Sequence, residues 1–102
     1  MCKKILLVEG DLGFSELARI WMQDAGFEVY TAGDGTEGMQ QIYSCRPDVV
    51  ILDMNLREMD VWEVCRHIRD RSNIPVLLMR IEDNTDQLNG FIPGLFEMIK
   101  SV

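Results

Sequence analysis

A parallel α/β fold is what this sequence predicts, on three observations. Short apolar runs recur that do not alternate with polar residues, the mark of strands buried on both faces. Segments with apolar residues at helical spacing separate them. Strand and helix then alternate at βαβ spacing, which dictates a parallel sheet with right-handed crossovers.

The elements follow in order. Lys4–Val8 is a strand, part of the stretch KKILLVEGD. Phe14, Leu17, Ala18, Ile20, Trp21 and Ala25 recur at helical spacing and form an apolar face, with Gly26 as the stop. Residues 27–32 are a second strand. Residues 36–44 are helical, with Met39, Ile42 and Tyr43 on one face and Gly38 as a weak point. Pro47 ends that connection, and residues 48–53 carry Val-Val-Ile-Leu, the strongest buried strand. Residues 62–68 are a helix, with Val61, Val64, Cys65 and Ile68 spaced i, i+3, i+4, i+7. Residues 75–79 are a fourth strand, 83–89 a short polar helix closed by Gly90, and 98–99 open a fifth strand.

The 102 residues make a single domain, 1–102. At 47% hydrophobic and 26% charged the chain belongs with folded globules, not disordered segments. A net charge of -7 argues against nucleic acid or an anionic membrane as a direct partner, because both require clustered Lys and Arg. Lys3 and Lys4 precede an apolar run too short for a signal sequence, and no segment reaches membrane-span length. Cys2, Cys45 and Cys65 lie far apart, without CxxC or metal-ligand spacing. They read as reduced packing residues of a cytoplasmic protein.

In a parallel α/β sheet, ligands bind beyond the carboxyl ends of the strands, where the strand order reverses. The first strand ends on Glu9, the third on Asp53 and the fourth on Arg80; the fifth runs into Lys100 and Ser101. Two carboxylates aimed into one crevice repel unless a cation lies between them. Mg2+ suits such a place, since it takes one or two carboxylates plus waters and a phosphate. The plainer alternative is that both acids face solvent and cap the following turns.

At these residues the chain resembles the receiver domain of two-component response regulators. The resemblance runs from KKILLVEGD through VVILDMNLREMDVWEVCRHIR to IPVLLM. It implies a flavodoxin-like, doubly wound parallel five-stranded sheet of order 2-1-3-4-5. It implies a signalling domain, not an enzyme, in which Asp53 accepts a phosphoryl group from a sensor histidine kinase or phosphotransfer protein. Glu9, Asp53 and the main-chain carbonyl of Asn55 would hold Mg2+. A homodimer or an attached output domain is a further partner the resemblance allows.

The sequence also departs from that family. Receivers carry two successive acids after the first strand, and here Gly10 fills the second place, where no side chain reaches the ion. Asp11 is one residue late and reads as a helix N-cap. The expectation is weak or absent Mg2+ binding. The family's switch hydroxyl falls at Arg80, and its lysine at Ser101, with Lys100 one residue early as a candidate replacement. A guanidinium at Arg80 would pair with Asp53 and mimic a filled site. Arg57 and Val61 stand where proline and glycine are usual, so the loop between them should take another path. The sequence ends where the family's last helix begins, which would leave apolar surface beside the first helix uncovered.

Two mechanisms therefore compete: a phosphoryl-accepting switch, and a protein-interaction module that works without phosphorylation. A third reading, binding of FMN or a dinucleotide, rests on Gly33-Asp-Gly-Thr-Glu-Gly38, which matches GxGxxG. An Asp-Gly turn leading into a helix explains that stretch more simply. His67, alone on its helix, reads as a surface or packing residue, and Trp21 as a core or interface residue.

Overall fold

The computed structural model describes residues 3–53 and 61–79. Within them the order is β1 (Lys4–Val8), α1 (Leu12–Asp24), β2 (Glu28–Ala32), α2 (Gly35–Cys45), β3 (Val49–Asp53), α3 (Val61–Arg71) and β4 (Val76–Met79). The strands form one parallel sheet in the order β2-β1-β3-β4. The expected fifth strand and the 83–89 helix lie outside the described residues. The doubly wound 2-1-3-4 arrangement is the expected one.

The sheet carries a core on each face. Ile5, Leu7, Val49 and Ile51 point to one side, where Ala18 and Met22 of α1 cover them. Leu6, Val8, Val50 and Leu52 point to the other, against Ile42 of α2 and Val64, Cys65 and Ile68 of α3. β3 is buried at every position, as its unbroken apolar run requires. Cys45 and Cys65 are buried free thiols, and burial raises both above the usual cysteine range, which suits packing and not reactivity. Among the described residues no helix is long and apolar enough to cross a membrane.

Local chemistry fixes the element ends. α1 stops in a Schellman motif: Gly26 N–H donates to Gln23 and Phe27 N–H to Met22, with Gly26 at φ +100. Here glycine is required, because a side chain strains that backbone. α2 ends differently, on Arg46 at φ 50, before Pro47. Val61 takes the first place of α3 and is buried, so the position where the family has glycine is helical here.

One expectation needs correction. The helical spacing in α1 put Leu17 and Ile20 on its apolar face, yet they are 37% and 42% exposed. Ser15, Ala18 and Met22 are the residues turned to the sheet, with Phe14 and Trp21 half-buried beside them. Periodicity counts apolar residues but not what covers them, and no described element lies over Leu17 and Ile20.

Candidate functional site

The carboxyl ends of β1 and β3 meet at the expected acids. Val8 pairs with Leu52 in the parallel register, and the next residue on each strand is Glu9 and Asp53. The Glu9 amide extends the ladder to β2 by donating to Ala32 O at 2.9 Å. This register, set by apolar runs on both strands, carries the two acids to one place. Both are buried, at 3% and 5% exposure, so the alternative that they simply face solvent fails.

Burial has an electrostatic consequence. Glu9 Oε1 accepts from the Asp11 amide at 2.9 Å, while its Oε2 is buried with no hydrogen-bond partner among the described residues. Desolvation pushes the Glu9 pKa up to about 8. The Asp11 amide opposes that rise; a side-chain hydrogen bond with Asp53 and the charges of Asp53 and Asp11 add to it. With no cation between them, burial therefore favours a proton on the Glu9–Asp53 pair. Two buried carboxyls side by side hold negative charge at a cost, and an oxygen-binding cation between them would relieve it.

The residues around this pair divide sharply. Asp11 is exposed, and its Oδ1 accepts from the Phe14 amide at 3.0 Å, so it caps α1 as its position suggested. Gly10 is exposed and offers no ligand. Its backbone does not require glycine: φ is not positive, and an added Cβ would stand 3.6 Å from Gly33 O, an ordinary contact. The position would accept an acid and lacks one. Among the described residues no group of three His, Cys, Asp or Glu is placed to hold a metal. The hard oxygens of Glu9 and Asp53, one of them unsatisfied, still fit Mg2+, which completes its shell with water. Asn55, Arg80, Lys100 and Ser101 lie outside the described residues.

The glycine-rich stretch after β2 is a helix cap. Asp34 accepts from the Glu37 amide at 2.8 Å, and Glu37 Oε2 accepts from the Gly33 amide at 2.9 Å, close to a capping box. Those amides are taken, and two carboxylates stand where a pyrophosphate would sit. The dinucleotide reading is set aside on that ground. Gly38 serves packing: an added Cβ would lie 2.9 Å from Val8 Cγ2, so α2 approaches β1 this closely only without a side chain. Sequence reasoning missed this cap, although Asp34 with Glu37 three residues on is its signal. It also missed a cleft between α2 and α3, for which no motif exists.

Comparison with known proteins agrees with this geometry. A family model described as the response regulator receiver domain matches residues 5–99. The DNA-binding response regulators MtrA of Mycolicibacterium paratuberculosis and Mycobacterium tuberculosis are each 33% identical over 100 residues, 97% of this chain and 44% of theirs. The chain thus spans less than half the length of those relatives. The chemotaxis response regulator CheY4 of Vibrio cholerae superposes with a TM-score of 0.75 at 30% identity, over 85% of this chain and 75% of that one. A CheY-like receiver domain from Methanospirillum hungatei gives 0.83 at 20% identity over 99% and 93%, a likeness of fold. Receiver domains bind Mg2+ at their phosphorylation site and interact with histidine kinases or phosphotransfer proteins. With a 2-1-3-4 parallel sheet, paired buried acids at the ends of β1 and β3 and a family match along almost its whole length, the chain belongs to the response regulator receiver domains of two-component signalling.

Proposed function

We propose that Asp53 is the phosphoacceptor of this receiver, and that Glu9 and Asp53 hold Mg2+ in a site weakened by Gly10. The observation that carries this is the pairing of two buried acids, Glu9 and Asp53, at the carboxyl ends of adjacent strands. In the transfer, an Asp53 carboxylate oxygen attacks the donor phosphorus. A P–O bond forms as the bond to the leaving group breaks, giving an acyl phosphate. The leaving group is imidazole from a phosphohistidine, which takes up a proton, or acetate from acetyl phosphate. Mg2+, when bound, neutralises charge on the transferring phosphoryl group. The residues of this chain position the acceptor and exclude water from its flank: β3 fixes Asp53, and the buried ends of β1 and β3 wall it. The domain is modified once per signal and is not itself an enzyme.

A second reading has its own observation. With Gly10 in place of an acid, the site offers a cation one carboxylate fewer than the family pattern does. That favours a protein-interaction module acting without phosphorylation. The relatives named DNA-binding are larger than this chain, and its charge of -7 makes it an unsuitable DNA-contacting surface. We assign any such contact to an attached output domain.

The deciding experiment is intact-mass analysis after incubation with acetyl phosphate and Mg2+, with Asp53→Asn as the control. One added phosphoryl group on the native chain alone supports the switch. No addition, while a known receiver reacts in parallel, supports the interaction module. Gly10→Asp sharpens the result: a carboxylate added beside the ion should strengthen Mg2+ binding about tenfold, read by calorimetry.

A further inference from the structure

We propose that the cleft between α2 and α3 is a binding site for a small organic anion, a carboxylate or phosphate carried on an aromatic or branched aliphatic body. Both helices run away from the carboxyl ends of the strands, so their C-terminal halves meet at the opposite end of the sheet from Glu9 and Asp53. A cavity of about 250 Å³ lies between them. Its floor is apolar, made by Ile42 and Ile68, with Ile74 beside them. Its rim carries Arg46, Arg71 and His67.

Charge makes this cleft unusual for the chain. Acids outnumber Lys and Arg by 17 to 10, yet among the described residues no Asp or Glu lines it. Neither guanidinium has a carboxylate partner among the described residues, where the ion pair present joins Arg19 and Glu16. Arg71 Nη1 donates to the Tyr43 hydroxyl at 2.8 Å, which ties the guanidinium across the two helices.

Basic residues near helix C-termini often do no more than answer the last carbonyls. Here other side chains answer one such carbonyl on each helix. Lys4 Nζ donates to Cys45 O at 3.3 Å, and Ser72 Oγ to Ile68 O at 2.9 Å. Neither arginine side chain is shown on those two carbonyls. Arg46 also takes the left-handed backbone, φ 50, where glycine sits without strain, and it is the one described non-glycine residue with positive φ. The residue that ends α2 in this way also lines the mouth of the apolar cleft. The volume admits one ring or a branched aliphatic group, with its anionic end between the guanidiniums.

The test is an amide NMR titration of the full chain with phenylacetate, phenyl phosphate and the neutral phenylacetamide. The expected result is saturable shifts at Ile42, Tyr43, His67 and Ile74 with one or both anions; whichever binds tighter identifies the head group. Phenylacetamide should bind about tenfold more weakly, as should the anion to Arg46→Gly and to Arg71→Gln. Arg46→Gly removes the charge while relieving the backbone, so its melting temperature should be equal or higher, and lost binding cannot be put down to unfolding. The proposal is overturned by the absence of saturable shifts with either anion, by equal binding of phenylacetamide, by undiminished binding in both variants, or by shifts centred on Glu9 and Asp53.

Discussion

The turns after β1 and β2 are built from the same letters and do different things. Each has a Gly-Asp pair, Gly10-Asp11 and Gly33-Asp34, and in each the aspartate caps the following helix by accepting from the third helical amide. After β2 the remaining acid, Glu37, is exposed and closes the cap on the Gly33 amide. After β1 the remaining acid, Glu9, is driven inside, beside Asp53, with one oxygen unsatisfied. The second turn is settled as structure. The first carries an electrostatic cost that folding does not need, and this difference separates a site from a cap.

The largest expected effect is on Glu9. Its folded pKa near 8 lies above the ordinary 4.5, so its protonated form is the one that suits the fold. That contribution is full below about pH 4.5 and is lost as pH rises through 8. Glu9→Gln should therefore stabilise the domain by about 3 kcal/mol at pH 9, and hardly at all at pH 4. Urea unfolding across that pH range reads it, and a flat difference would break the comparison. The same variant should bind Mg2+ more weakly, so stability and ion binding move in opposite directions.

The glycines come next. Gly38→Val should cost about 3 kcal/mol, because Val8, buried and β-branched, cannot move aside. Gly10→Ala should change stability by no more than about 0.5 kcal/mol, since its Cβ meets only an ordinary contact. Thermal melts of the two variants separate a glycine that packing requires from one it does not. The caps should be equal: Asp11→Ala and Asp34→Ala should each lose about 1 kcal/mol in chemical denaturation. A much larger loss at Asp11 would mean that it supports Glu9 beyond capping. A similarly small effect is expected at Arg46, where glycine should gain about 0.5 kcal/mol in the same assay.

Much of the fold was legible in the residues. The apolar runs ending at Val8 and Asp53 marked β1 and β3, and Gly26 marked the end of α1, because burial on both faces and a left-handed stop each leave a compositional trace. The face of α1 was legible only in part. Leu17 and Ile20 fit the period and are exposed, because periodicity is local and cover is not. Of the site, Glu9, Asp53 and the Asp11 cap were readable from position. The burial of Glu9 against Asp53 was not, since it depends on the β1–β3 register.

By itself, the sequence determined the alternation of strands and helices, the acids at the strand ends, and the glycine where the family has a second acid. These follow from local pattern and order along the chain. Only the tertiary structure decided that Glu9 is buried, that Gly38 is held against Val8 while Gly10 is free of any such demand, and that Arg46 and Arg71 share a cleft that no described acid lines. Each of these is a relation between segments far apart in the chain. Burial and electrostatic cost depend on which groups arrive beside one another, and that is set by the packing of the whole sheet.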